Sequence, residues 1–436
     1  MKLSTQPYKG ARDFYPEDKR LQKYLFNTMR SVCERYGYEE YDAPVLEPTD
    51  VYLQKGNQEI IEEQTYTFTD RGDRSVTMRT EMTPTVARMV AGKRQELGYP
   101  LRWYSIPQCW RYERMQRGRG REFYQLNVDI FGDPSVSAEH ELIELTRDLL
   151  TTYGASEDMY EIHINSRRFM NEVFYDHLAL SPGKDSELNR LIDKKAKMPE
   201  DTFYSELEQL LDGEANADKA TSTLRALLSD KKRPENLQDL PEDLLNLESF
   251  TDIKTLVELC EASGIRNIYF NPAITRGFDY YTGIVFEVFD THPDNNRSMF
   301  GGGRYDNLLE AFGAEPVPTV GFGMGDLTLQ HFLELHDLLP NLTTETDVYA
   351  ICIGDTYRST TQIVSRLREQ NIRVALDSTN RKPSKSIKTA DKKQIPYVLF
   401  IGEEELESGE LTLRHLDSGN ETKGDLDLVI QTILSA

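Results

Sequence analysis

The order of strand-like and helix-like segments changes near residue 347, and this change constrains the fold more than any single motif. Beyond it, VYAICIG, a helix from about Thr356 to Gln370, IRVALD, a basic helix and YVLFIG succeed one another. Such β-α-β-α-β alternation predicts a small, mainly parallel α/β domain. Before it, strands are followed by helices without βαβ spacing, which predicts an α+β core with an antiparallel sheet and packed helices. At 436 residues the chain is long enough for two or three such units.

Within the first part, Leu21, Tyr24, Leu25, Met29 and Val32 recur near a 3.6-residue period, so Asp18 to Tyr36 reads as an amphipathic helix ended by Gly37. YEEYDAPVLEP reads as one short strand stopped by Pro44 and Pro48, and TYTFTDRGDRSVTMRT as a hairpin turning at Arg71-Gly72-Asp73. Helices are expected from about Pro84 to Gln95 and between Ala138 and Tyr153. Residues from about 166 to 262 carry charged helical segments such as DSELNRLIDKKAKM and read as a helical insertion. The expected organisation is a core over 1–335 interrupted by that insertion, a linker over 336–346 and an α/β domain over 347–436.

A formal net charge of −22 argues against whole-surface binding to nucleic acid or anionic membrane, because the average field repels phosphate. Any polyanion must be met at local basic patches. Cys33, Cys109, Cys260 and Cys352 lie far apart without CxxC or CxxH spacing, so no metal site is indicated and buried thiols in a reducing compartment are expected. The N-terminus lacks the apolar region of a signal peptide, and no apolar run approaches the roughly 20 residues that span a bilayer. A cytoplasmic protein is expected, with no membrane partner.

Against this acidic background, residues 102 to 121 gather Arg102, Arg111, Arg114, Arg117, Arg119 and Arg121 with one carboxylate, Glu113. On the strand that follows, Tyr124, Leu126, Val128 and Ile130 alternate with Gln125, Asn127 and Asp129, which puts an amide and carboxylate row on one face. A hairpin closing at Gly118 and Gly120 brings Arg111 toward that face, a plausible site for a polar, charged ligand. Glycine-spaced arginines suit a mobile clamp for phosphates or an RNA end, and equally an unstructured basic loop. Seven Lys or Arg against two Asp within 373–393 read most simply as a solvated helix face.

The pattern W-R-x-E-R, Gly/Arg loop, R-x-F, then Q-L-x-x-[DE]-x-F-G resembles motif 2 of class II aminoacyl-tRNA synthetases. RGFDYYTGIVFE at 276–287 and GGGRYDNL at 301–308 narrow the resemblance to the histidyl-tRNA synthetase family. It covers essentially the whole chain, and the C-terminal α/β domain resembles that family's anticodon-binding domain. The resemblance implies the class II core, ATP as substrate with Mg²⁺, and L-histidine and histidine tRNA as partners. Through a motif 1-like helix and Pro44-terminated strand it also implies a homodimer. Residue by residue, it implies that Glu81 and Thr83 bind the α-ammonium of histidine together with Gln125, and that Asp129 reads the imidazole N–H. Tyr280, Tyr281 and Tyr305 would complete that pocket. Arg111 is implied on the ATP α-phosphate, Phe123 on adenine, Glu113 and Arg121 on the nucleotide, and Arg276 at the reacting carboxylate and α-phosphate. Arg117, Arg119, Lys385 and Lys388 are expected to meet tRNA.

The implied activity is that of a histidine-tRNA ligase; the alternative is a non-catalytic, synthetase-like regulatory subunit of ATP phosphoribosyltransferase, a paralogue that lacks the C-terminal domain. Three positions depart from the family pattern. GFGMGDLTL places Thr328 where motif 3 carries an arginine, MRTEMT carries Thr80 and Met82 in place of the commoner Pro and Gly, and Asp129 is one methylene shorter than the usual Glu.

Overall fold

The computed structural model describes residues 3–53, 64–195, 198–229, 231–274, 280–295 and 297–435. They form two compact units, one comprising Met1–Phe14 and Gln22–Leu339, the other Tyr15–Leu21 and Pro340–Ala436. Residues 336–339, read from the sequence as linker, close a helix instead. The His336 N–H donates to Phe332 O (3.2 Å) and the Leu338 N–H to Leu333 O (2.9 Å), ending Asp326–Leu335.

Helix Pro16–Arg35 starts with proline in its first turn and Glu17 and Asp18 close behind, both suited to a helix N-terminus. Its end is set at Gly37, whose φ of +77° is the left-handed conformation that glycine adopts without penalty. Leu25, Met29 and Val32 are buried as the periodicity predicts, but Phe26 and Cys33 complete the inward face where Leu21 and Tyr24 stay partly exposed. YEEYDAPVLEP is not one strand. Pro44 splits it into β1 (Glu39–Glu40) and β2 (Leu46–Pro48), which join different sheets. The expected hairpin is present as β3 (Thr67–Thr69) and β4 (Ser75–Met78), with Asp73 at φ +55° in its turn, and β4 pairs with both β2 and β3.

The main sheet of the first unit is nine-stranded. It is built from β1, β5 (Leu101–Ser105), β6 (Gln108–Trp110), β7 (Glu122–Phe131), β8 (Tyr160–Ser166), β9 (Ile268–Phe270), β10 (Ile284–Asp290), β11 (Ser298–Arg304) and β12 (Thr319–Gly325). The order runs β1-β5-β7-β12-β11-β10-β8-β9, with β6 on β7. The pairs β1/β5 and β8/β9 at the two edges are parallel and the others antiparallel, as the α+β reading requires. The described residues between Arg167 and Ala262 fall mostly in helical segments, and the helix Phe250–Ala262 returns to pack on Val136–Thr152. All four cysteines are buried and free, and burial pushes the thiols of Cys33, Cys109 and Cys260 up to about 12.

The second unit has a five-stranded sheet in the order β14-β13-β15-β16-β17, from β13 (Val348–Cys352), β14 (Val374–Asp377), β15 (Tyr397–Ile401), β16 (Leu411–His415) and β17 (Glu421–Gly424). The first three are parallel, and the apolar runs of β13 and β15 are buried almost throughout, whereas Ala375 and Leu376 of the edge strand β14 are partly exposed. The β16/β17 hairpin extends the sheet antiparallel beyond the predicted β-α-β-α-β run. Its last strand, ETKG, carries no apolar residue, so periodicity could not find it. Among the described residues no helix is long and apolar enough to cross a membrane.

Candidate active site

A cavity of about 980 Å³, counting its open mouth, lies on the face of β7, β11 and β12. The polar row of β7 makes its floor. That row is not solvent surface: Asn127 and Asp129 are 4% and 3% exposed. Two glycines of β12 leave room for it. Gly321 pairs with Asp129 and Gly323 with Asn127. A Cβ at Gly321 would fall 2.2 Å from Asp129 Oδ1, and one at Gly323 1.8 Å from Gln125 Nε2. The GFGMG run therefore permits side chains of β7 to lie across the backbone of β12.

One end of the cavity is aromatic and acidic. Tyr280, Tyr281 and Tyr305 pack edge-on or tilted, with ring centroids 4.9 to 6.2 Å apart. The Tyr305 hydroxyl donates to Asp129 Oδ1. Burial pushes the Asp129 carboxyl up to about 7, opposed by hydrogen bonding from Tyr305 and Tyr41. Tyr280 Oη donates to Glu81 Oε2 at 3.3 Å. Glu81 and Thr83 precede and begin helix Thr83–Lys93, which opens on a Thr-Pro pair suited to a first turn. This segment is tied to β6 by Arg79, whose Nε donates to Gln108 O at 2.7 Å, and by the Trp110 N–H to Arg79 O at 2.9 Å.

The other end is cationic. Arg111 Nε donates to Thr80 O at 2.9 Å, which leaves the rest of its guanidinium to the cavity, and it sits 5.3 Å from the Phe123 ring centroid. Glu113 lies between Arg111 (3.9 Å) and Arg119 (3.7 Å), and all three line the wall. Thr328 also lines it, its Oγ1 donating back to Gly325 O at 3.0 Å. Asp326, two residues earlier, is buried. It accepts from Arg12 (2.8 Å) and from the Tyr124 N–H (2.9 Å), so the start of this helix is fastened to β7. Among the described residues no group of three His, Cys, Asp or Glu converges as a metal site.

Of the residues expected at a ligand, the structure brings Glu81, Thr83, Arg111, Glu113, Arg119, Phe123, Gln125, Asp129, Tyr280, Tyr281 and Tyr305 to this one cavity. Arg276, expected at the reacting groups, lies outside the described residues. Arg121, expected on the nucleotide, is not on the wall; the β6/β7 ladder ends at Trp110 and Glu122, so strand alternation no longer aims residue 121. Its guanidinium stacks on Tyr112 at 3.9 Å. Arg117 is exposed on the loop. Lys385 and Lys388 are exposed on helix Pro383–Lys392 of the second unit. Asn127, Met299, Phe322 and Leu327 also line the cavity with no role assigned from sequence. Asn127 stood on the expected polar face, whereas Met299 and Leu327 read as ordinary apolar positions.

Comparison with known proteins accords with this arrangement. A family model for histidyl-tRNA synthetase matches residues 10–327, and one for an anticodon binding domain matches residues 347–436. The histidine–tRNA ligase of Leptospira biflexa is 41% identical over 99% of this chain and 98% of its own length. That of Haloarcula marismortui is 37% identical over 95% of this chain and 94% of its own. The crystal structure of histidyl-tRNA synthetase from Nostoc sp. PCC 7120 covers both chains completely with a TM-score of 0.83 at 23% identity, a likeness of fold. This chain belongs to the histidyl-tRNA synthetase family.

Proposed function

We propose that the chain is a histidine–tRNA ligase, which joins L-histidine to ATP as histidyl-adenylate and then transfers the histidyl group to the 3′ end of histidine tRNA. The observation that carries this reading is one cavity with two chemically distinct ends on a single strand. Asp129 stands at the aromatic end, Phe123 with its neighbour Arg111 at the cationic end, and Gln125 between them on the same strand. Histidine fits the first. The Asp129 carboxyl, fixed by Tyr305, accepts an imidazole N–H, and Glu81, Thr83 and Gln125 take the α-ammonium. A site built to pair buried polar groups with a ring nitrogen leaves them unpaired with another amino acid, so discrimination is strong.

ATP fits the second end, with adenine on Phe123 and the α-phosphate at Arg111. In the first step a histidine carboxylate oxygen bonds to the α-phosphorus, the bridging P–O bond to the β-phosphate breaks, and pyrophosphate leaves. Two anions about 4 Å apart repel by roughly 4 kcal/mol at an effective dielectric of 20, so fixed cations are the main requirement. Arg111 supplies one in a position set by its hydrogen bond to Thr80 O. Arg276 is proposed as a second. In the next step a terminal ribose hydroxyl of tRNA attacks the activated carbonyl and AMP leaves. Glu113 suits a Mg²⁺ that keeps most of its waters and enters on the triphosphate, as such ions do at walls with one or two carboxylates. When bound, it neutralises phosphate charge.

The domain matched at 347–436 supports a tRNA partner and argues against the regulatory-subunit alternative. Leu46, Leu53 and Phe68 expose apolar surface around β2 and β3, which suits pairing with a second copy. A cytoplasmic location accords with four free cysteines. The test is pyrophosphate exchange into ATP, expected only when histidine is added. Exchange supported equally by other amino acids would sink the specificity, and none at all would sink the activity.

A further inference from the structure

Tyrosine meets the Asp129 carboxyl from two sides. Tyr305, just past the end of β11, donates to Oδ1, and Tyr280 and Tyr281 stand behind it. On the other side is Tyr41, the residue that follows Glu40 of β1, whose N–H donates to Tyr104 O (2.9 Å) and so continues along β5. Its ring leans on Trp103, 5.5 Å between centroids, and Trp103 is the cross-strand partner of Asp129. The Tyr41 hydroxyl is closed off from water, as is that of Ser105, which pairs with Asn127 two residues along β5. Neither has a partner at full hydrogen-bond geometry, although Asp129 and Ser105 both bear on the Tyr41 proton. The charges beyond Tyr41 are already paired, Arg79 with Asp42 at 3.2 Å, and Gly321 on β12 brings no side chain.

A buried hydroxyl that closes no bond is costly, and the chain carries two of them beside one carboxyl. A ring that only filled space against Trp103 would be served by phenylalanine. An imidazole N–H is read by an ionised carboxylate, which only accepts, whereas the protonated form spends one oxygen as a donor. Burial favours the protonated form, and hydrogen-bond donors on both sides oppose it. A side chain as short as that of Asp129 also stays close to the sheet beside β5, where Tyr41 stands. We propose that Tyr41, steadied by Ser105, is a second positioning residue for the histidine side chain: its hydroxyl donates to Asp129 from the β5 side and holds that carboxyl ionised and in place for the imidazole N–H. This rests on the ligase reading above.

Tyr41→Phe keeps the ring on Trp103 and removes only the hydroxyl. In histidine-dependent pyrophosphate exchange by the full-length protein, it should raise the KM for histidine roughly 5- to 10-fold at about pH 7, the loss of one hydrogen bond to a charged group, and leave the KM for ATP within about twofold. The hydroxyl favours the ionised carboxyl, so its removal moves Asp129 further up from about 7. The excess in KM should therefore narrow as pH rises and approach parity near pH 9. Free histidine titrates identically in both measurements, so the ratio of the two KM values isolates the protein. Ser105→Ala should move that ratio in the same direction by less. An unchanged KM for histidine in Tyr41→Phe would overturn the proposal. So would a rise that stays constant between about pH 7 and about pH 9, which would make Tyr41 a wall of the pocket and not a donor. Equal rises for ATP and histidine would assign the residue to the fold and overturn it too. Absence of exchange in the unmodified protein is a different result, which removes the ligase reading itself.

Discussion

Two stretches of this acidic chain are rich in positive charge, and the fold treats them differently. Between residues 111 and 121, Arg111 is hydrogen-bonded to Thr80 O and Arg121 is stacked on Tyr112, while Arg114, Arg117 and Arg119 are exposed on the loop. Between 381 and 393, Arg381 is held, by Asp377 at 2.9 Å and by Tyr349 Oη at 3.0 Å, whereas Lys382, Lys385, Lys388, Lys392 and Lys393 are exposed. A held charge acts at a fixed point and is worth most where water is excluded; a solvated lysine contributes field and counterion release. The difference separates positions that can support chemistry from those that can support attraction. Asp129, fixed by Tyr305 and pushed up to about 7 by burial, belongs with the held charges.

If that distinction is right, its largest consequence is at Arg111. Arg111→Ala should lower histidine-dependent exchange roughly 10²- to 10³-fold, the usual loss for one preorganised group at developing charge. Arg111→Lys should recover only part, since the guanidinium fork spans Thr80 O and the cavity at once. Steady-state exchange with ATP varied checks both, and a loss under tenfold for the alanine variant would place Arg111 among the merely attractive cations.

A middle effect concerns Asp129 and stability. Its native pKa of about 7 exceeds the ordinary 3.8, so between those values the folded protein keeps a proton that the unfolded chain has lost. Asp129 should therefore lower stability as pH rises from about 4 to about 7, by a few kcal/mol at most. Asp129→Asn should remove this contribution. Urea unfolding of both proteins across that range tests the sign, and a difference between them that stays constant with pH would contradict it.

The smallest effect belongs to the solvated helix. Replacing Lys385 and Lys388 by Gln should raise the KM for tRNA several-fold at moderate salt. It should also flatten the salt dependence by about 0.7 to 0.9 per lost phosphate contact, with exchange unchanged. Aminoacylation insensitive to both changes would make this patch an ordinary solvated face.

Much of the site was legible in the sequence because its residues lie on a few local patterns. Period-2 alternation put Gln125, Asn127 and Asp129 on one face, whereas Glu81 was pointed to by the family resemblance and not by any local pattern. What periodicity lacked was the neighbour across the sheet. A polar strand face usually meets water, and nothing within 122–131 says that Gly321 and Gly323, about 190 residues later, leave room for a buried cavity over it. Arg121, implied on the nucleotide by the resemblance, stands off the cavity wall, because the ladder ends at Glu122 and its side chain is held by Tyr112 and by Tyr8, which is distant in sequence. The split of YEEYDAPVLEP between two sheets was likewise decided by partners, not by propensity.

By itself the sequence determined the class of the fold, the family motifs and the types of side chain at the site, because spacing and residue chemistry are local properties. The tertiary structure decided which charges are held and which stay in water, where Arg121 points, and that the polar row of β7 is buried. Those outcomes depend on contacts between residues far apart in the chain, and only closing the sheet brings them within hydrogen-bond distance.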